Sequence, residues 1–384
     1  MKVINKIFKK FFIIVFLLQT HSVGAQEIIK IGLLAPLTGE YSDIGKSIVQ
    51  SVRMGINKID NDNIKILPRN TLSDTNETLK VVNNLYSDGI RIFIGPVFNK
   101  NLKGLEKFND AIFLSLTNKT LNNPKNIIST GVNAKSQFKA IKRFLEINEL
   151  NKTLVLIPKK DFKEEIENGI LKSQIKTSKI FYYDAEPTKL TKQIEKVTKY
   201  QIRKKNLEDE IKRVEMSDDP NKERKIKRLE KKDTIGRIGF DSIVIADFNE
   251  SLKSVTTSLL YTDVSPKNVS FISLNQWFDE TLFKETTSQP ISFPSINIQK
   301  YKKFTKEYFD LFNENPSQIA ILSYDLVGLI YYSLIQNNFE VNNKLFFKKN
   351  KFKGVSGVFE INKNNINHIL NFYTVDNNNF IEIF

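Results

Sequence analysis

The chain has 384 residues, a length suited to two domains or one large α/β unit. It is 40% hydrophobic and 26% charged, which excludes bulk disorder. It has no cysteine and only two histidines, His21 and His368, so disulfides, thiolate nucleophiles, iron–sulfur clusters and cysteine zinc sites are excluded. A serine triad needs a histidine base and typical zinc sites need two or three histidines, which removes most hydrolase and metalloenzyme chemistry.

Residues 1–25 read as a cleavable secretory signal peptide. Lys2, Lys6, Lys9 and Lys10 form the positive start, Phe11 to Leu18 the apolar stretch, and Val23-Gly24-Ala25 the small-residue cleavage site. The rival reading is a retained anchor, but the apolar run is far short of the ~20 residues that span a bilayer. The expectation is a periplasmic protein with no membrane span after cleavage. The formal net charge is +15. An export signal and the lack of an arginine-and-aromatic ladder argue against nucleic acid. The charge reads instead as a lysine-, asparagine- and isoleucine-rich composition spread along the chain.

Beyond the signal, short β-branched runs alternate with amphipathic stretches. Strands are predicted at Ile28–Leu34, Ile64–Leu67, Ile90–Ile94 and Ala111–Leu116. Helices are predicted at Ile44–Ile59, Glu77–Tyr86 and Asn101–Phe108. The pattern resumes with helix Ser136–Leu145, strand Leu154–Ile157, helix Phe162–Ile175 and strand Lys179–Tyr183. Strands Ser242–Ala246 and Val269–Leu274 follow. Such alternation means parallel sheets with right-handed crossovers, here in two sets. Ligands then sit beyond the carboxyl ends of the strands.

The stretch Leu190–Lys232 breaks this rhythm. It has no strand pattern and is dense in charge, with Ile194, Val197, Leu207, Ile211 and Val214 at helical spacing. It reads as a helical hairpin, about 190–236, joined at Ser217–Asn221. Its thin apolar seam leaves two readings open: a solvated insertion, or an arm that docks on a partner or a membrane surface.

The segment Ile31-Gly32-Leu33-Leu34-Ala35-Pro36-Leu37-Thr38-Gly39, followed by Tyr41-Ser42-Asp43-Ile44-Gly45, resembles the opening of type 1 periplasmic binding proteins of the leucine/isoleucine/valine-binding family. Further resemblances follow in order: Asp74-Thr75-Asn76, Gly95-Pro96-Val97, Ser115-Leu116-Thr117-Asn118, Asp161-Phe162, Pro316 with Ser323-Tyr324-Asp325, and Gly354 to Phe359 as the penultimate strand. The resemblance implies an α/β fold of two doubly wound parallel-sheet lobes joined by a three-strand hinge. Lobe 1 would be 27–131 plus 291–369, and lobe 2 would be 132–290 plus 370–384. It implies no cofactor and no catalysis, but a solute clamped between the lobes by hinge closure.

Carried onto this chain, the family pattern places Thr117 and Ser115 at the hydroxyl-rich loop, with Asn118 beside them, while Tyr41 and Ser42 close the first loop. Phe98 and Asn99 stand where the family has serines, and Phe162 where it has tyrosine. Asn275 and Trp277 end a lobe 2 strand without the acid expected for an amine. Asp247 is a candidate acid, or else the cap of the next helix, and Asp279 would serve only if its loop folds back. Phe98 and Phe162 are cleft walls or lobe packing, and Trp277 is a cleft platform or interlobe packing. Tyr324 should begin a core-facing helix, and His368 should be a surface residue near the third crossover.

Two functions are consistent with this reading. One is capture of a small amino-acid-like solute for an inner-membrane ABC permease. The other, from resemblance of the insertion region to the penicillin-binding protein activator (LpoA-like) branch of the fold, is regulation of peptidoglycan synthesis by contact with a penicillin-binding protein. An enzyme ranks below both, since no nucleophile–base pair can be assembled.

Overall fold

The computed structural model describes residues 28–342, 345–346, 350–362 and 364–384. The expected signal peptide lies outside the described residues. Strands β1 (Ile29–Ala35), β2 (Ile64–Asn70), β3 (Ile92–Ile94), β4 (Ile112–Ser115) and β5 (Ile127–Ser129) are parallel neighbours in a first sheet. A second sheet begins with β6 (Thr153–Pro158), β7 (Lys179–Tyr183), β8 (Ser242–Ile245), β9 (Ser270–Ser273) and β10 (Ile291–Ser295), also parallel. The chain then returns to the first sheet with β11 (Asn350–Lys353), β12 (Val358–Asn362) and β13 (Asn365–Ile369). It closes the second sheet with β14 (Asn371–Asp376) and β15 (Asn379–Glu382). The final orders are β2-β1-β3-β4-β5-β13-β12-β11 and β7-β6-β8-β9-β10-β14-β15.

Helices α1 (Ser42–Ile59), α2 (Thr75–Ser87), α3 (Ala134–Ile147) and α4 (Lys163–Ser173) cover the early strands. Next come α5 (Pro187–Thr198), α6 (Tyr200–Glu215), α7 (Lys222–Leu229), α8 (Asn249–Tyr261), α9 (Ile298–Phe312) and α10 (Ala320–Gln336). The parallel strands are buried on both faces: every residue of β3, β4, β5, β6, β8 and β10 is buried. That burial explains why these strands read as continuous apolar runs rather than alternations.

Four expectations need correction. The return to the first sheet falls after Ser295 rather than before Ile291, because Ile291–Ser295 pairs with β9 and β14. The expected helix Asn101–Phe108 is two single 3₁₀ turns, Asn99–Leu102 and Leu105–Lys107, broken at Gly104. Gly104 has φ +87°, and a Cβ there would meet the Leu79 side chain. Gly354–Gly357 is the turn before β12 rather than the strand itself, its amides drawn to a buried carboxylate. Asp325 accepts Val355 N at 2.6 Å, and Ser356 N at 2.8 Å and Oγ at 2.5 Å.

The fourth correction is His368, which is buried. Its backbone N donates to Ser136 Oγ (2.9 Å) and its Nε2 lies 2.9 Å from the Thr130 carbonyl. It thus ties the third crossover, at Leu370, to the first, at Thr130–Asn133. Asn133 Nδ2 adds a bond to the Ile366 carbonyl at 2.7 Å. The second crossover is held by Tyr373, whose hydroxyl accepts Ile298 N (3.0 Å) and donates to the Ile296 carbonyl (2.9 Å).

The insertion is helical, as expected, with α6 and α7 packed on each other across the turn Met216–Asn221. Its root is firmer than its apolar seam suggested. The buried Arg203 donates to the Thr198 carbonyl (3.1 Å), Thr234 Oγ1 (2.9 Å) and the Thr262 carbonyl.

Burial holds the His368 imidazole neutral, with its pKa lowered from 6.5 to about 4. The unfolded chain therefore takes up this proton first. Stability from this residue is full above pH 6.5 and is lost as pH falls through 4, a change of about 3 kcal/mol. The buried Asp325 carboxyl is pushed upward and acts in the opposite sense. Comparison with His368→Gln isolates the imidazole: urea unfolding should show a shallower loss of stability between pH 6.5 and 4.5 in the variant.

Candidate functional site

The carboxyl ends of both parallel sheets open on a shared cleft of about 670 Å³. From the first sheet, Phe98 and Asn99 after β3, and Thr117, Asn118 and Lys119 after β4, form one wall. From the second, Phe248 and Asn249 after β8, and Asn275, Gln276, Trp277 and Asp279 after β9, form the other. Gln137 of α3, the crossover residues Gly131 and Val132, and the segment Ser317–Ile319 before α10 also line the cleft.

Six of the residues singled out from the sequence meet here: Phe98, Asn99, Thr117, Asn118, Asn275 and Trp277. Five stand outside the lining, for identifiable reasons. Ser115 is fully buried beneath the loop, donating to the Pro96 carbonyl (2.8 Å) and accepting Thr117 N (3.3 Å). Tyr41 lies behind Phe98, ring centroids 4.7 Å apart, and Ser42 is the first residue of α1. Phe162 backs Phe248 in an edge contact at 6.1 Å.

Asp247 is 1% exposed and already engaged. Lys160 Nζ reaches its Oδ1 at 2.8 Å, Phe248 N donates to the same oxygen at 3.0 Å, and Tyr183 Oη donates to Oδ2 at 2.7 Å. The phenol is pushed far up by burial and by the adjacent carboxylate, so it stays a donor. Asp247 does not cap α8, whose N-terminus has no side-chain cap. It ties together the ends of three strands.

Asp279 was expected at the cleft only if its loop folds back, and the backbone does fold back. Trp277 and Phe278 both take left-handed φ, 50° and 60°, and turn the chain back so that Asp279 lines the cleft. Two such residues cost about 1–3 kcal/mol each. The loop is held against that strain by hydrogen bonds: Asn275 N to Gln137 Oε1 (2.9 Å), and Trp277 N and Ser295 Oγ to Asn275 Oδ1 (3.0 and 2.9 Å). Phe278 is buried among Phe293, Tyr301, Tyr373 and Phe380, with the Tyr373 ring 5.0 Å away. Burying a phenylalanine contributes about 1.5–3 kcal/mol, comparable to the strain of one residue.

Lys119 was missed although it directly follows Thr117-Asn118. It makes no ion pair among the described residues. Asn99 Oδ1 is buried with no hydrogen-bond partner among the described residues. The loop that carries Lys119 is fastened to the opposite unit by Glu165 of α4. Its carboxylate accepts Thr120 N (2.8 Å), Leu121 N (2.7 Å) and Thr120 Oγ1 (3.0 Å).

With this geometry in hand, comparison with known proteins is informative. Residues 28–169 match the periplasmic binding protein family, and the chain carries the type 1 periplasmic binding protein fold. Structural relatives include the leucine-bound ABC transporter substrate-binding protein of Desulfitobacterium hafniense (12% identity, 92% of this chain and 99% of that one, TM-score 0.62). Isoleucine-bound LivJ of Streptococcus pneumoniae is another (16%, 93% and 100%, 0.56). So is the C-domain of LpoA from Haemophilus influenzae, a regulator of PBP1A (15%, 92% and 100%, 0.58). At these identities the likeness is one of fold. An uncharacterised protein of Methanocaldococcus jannaschii is 31% identical over 107 residues, and the match spans only 26% of that protein's length.

Glu165→Ala leaves two half-buried amides and a hydroxyl without their acceptor, at a cost of about 1 kcal/mol or more. Hydrogen exchange should accelerate at Thr120 and Leu121 while the amides of β6 stay protected.

Proposed function

We propose that this protein is a periplasmic solute-binding protein of the leucine-binding type. It captures a small, polar, amino-acid-like solute between its two units without altering it, and presents it to an inner-membrane ABC permease. The observation that carries this reading is the placement of Lys119 and Asp279: opposite charges on opposite walls of one cleft.

An α-amino acid carries both charges. Removing either from water is costly unless the site supplies a partner. Lys119 with the Thr117 loop suits the carboxylate, and Asp279 suits the ammonium. Phe98, Phe248 and Trp277 supply apolar wall for a side chain. Because the two charges sit on different units, the solute meets both only when the units approach. Ligand affinity is thereby coupled to hinge closure. Removal of an N-terminal signal would leave the protein free in the periplasm, and no helix among the described residues is long and apolar enough to cross a membrane.

The alternative, an LpoA-like regulator of peptidoglycan synthesis, draws support from the protruding helical insertion. A thermal shift screen against amino acids separates the two. A ligand at 100 times its dissociation constant should stabilise the fold by about 2.7 kcal/mol. Asp279→Asn and Lys119→Gln should each weaken that ligand about tenfold or more, given that hydrogen bonds to charged groups contribute about 1.5–3 kcal/mol. No shift with any amino acid, together with capture of a penicillin-binding protein that is lost on deleting residues 201–232, favours the regulator.

A further inference from the structure

The solute reading leaves the α6–α7 arm without a role, and the arm is electrically lopsided. Residues 222–232 hold seven Lys/Arg against two Glu, whereas the acids Glu208, Asp209, Glu210, Glu215, Asp218 and Asp219 gather on α6 and the turn. All seven of these cations are exposed. Among the described residues only Lys225 has an ion-pair partner, Asp219. No residue of α7 is buried, and its two apolar side chains, Ile226 and Leu229, are half-covered. The arm is not loosely attached, because the buried Arg203 guanidinium fastens its root to the carbonyls of Thr198 and Thr262.

We propose that the segment Lys222–Lys232 is a docking surface for a bilayer rich in anionic phospholipid. Its chemistry matches a diffuse negative surface more closely than a shaped partner. Protein interfaces concentrate their energy in anchors seated in pockets, most often aromatic; α7 has no aromatic residue and no buried residue, and its arginines Arg224 and Arg228 stand exposed among lysines. Single-stranded nucleic acid calls for stacking aromatics, and residues 201–239 contain no Phe, Trp or Tyr. Exposed lysines and arginines are attracted to anionic headgroups without inserting, each adding to the sum within a Debye length of the surface. Such contact would hold the cleft close to the membrane while the units remain free to move.

The test is co-sedimentation of the full chain with vesicles of phosphatidylcholine containing about 30 mol% phosphatidylglycerol, set against vesicles of phosphatidylcholine alone. The variants below keep the N-terminal lysines and apolar run, so comparison among them accounts for any binding through that segment. Partition should favour the anionic vesicles about tenfold or more at low salt and collapse near ~0.5 M salt. The combined substitution Lys227→Gln, Arg228→Gln, Lys231→Gln and Lys232→Gln should abolish the preference without altering the thermal transition, since none of these residues is buried. The α6 control Lys204→Gln, Lys205→Gln and Lys212→Gln should retain most of it. Equal partition to both vesicles, or equal loss in the two variants, overturns the proposal. So does tighter binding to a single-stranded oligonucleotide or to a protein than to the anionic vesicles.

Discussion

A parallel strand buried on both faces has no side chain free to meet a solute except at its ends. This constraint governs the molecule. The interior residues of β3, β4, β6, β8 and β9 are committed to the core, so polar chemistry emerges where the strands stop. Both sheets end toward the same gap, and the cleft inherits its lining from loops that follow β3, β4, β8 and β9. The residues that could bind are therefore few, and their identities carry unusual weight.

The second requirement is that the two sheets, which share one continuous apolar core, stay in register. Three short crossovers meet this need, and each is stitched to another by a buried polar side chain: Asn133 and His368 between the first and third, Tyr373 between the second and third. Buried hydrogen bonds of this kind are costly to break and directional, so they fix how the crossovers lie against one another. The Glu165 carboxylate adds a tether from α4 to the loop that bears Lys119.

Much of this was legible in the amino-acid order. Apolar runs bounded by Gly and Pro gave the core strands, and the order of the weak motifs gave the fold. Thr117 and Trp277 could be singled out because strand ends could be located, and both line the cleft. Other features were illegible for physical reasons. β5 is too short to show a period, and β10 carries Pro294 in its midst. The lone His368 looked peripheral because burial by non-local strands leaves no local signature. Asp247 looked like a binding acid because its partners, Lys160 and Tyr183, come from distant positions. Asp279 depended on a backbone reversal at two non-glycine residues, which no propensity favours and which only the aromatic packing around Phe278 supports.

The central claim is that two hinged units close on a solute held between opposite charges. The chain lacks cysteine, so single cysteines introduced at Asn76 on α2 and Leu171 on α4, both exposed, can be spin-labelled without interference. Pulsed electron resonance then reads the distance between the units directly, with and without an amino acid shown by calorimetry to bind. The account predicts that ligand shifts the distribution to one narrower, displaced population, and that Asp279→Asn suppresses the shift. A distribution unchanged by a ligand that demonstrably binds would contradict it.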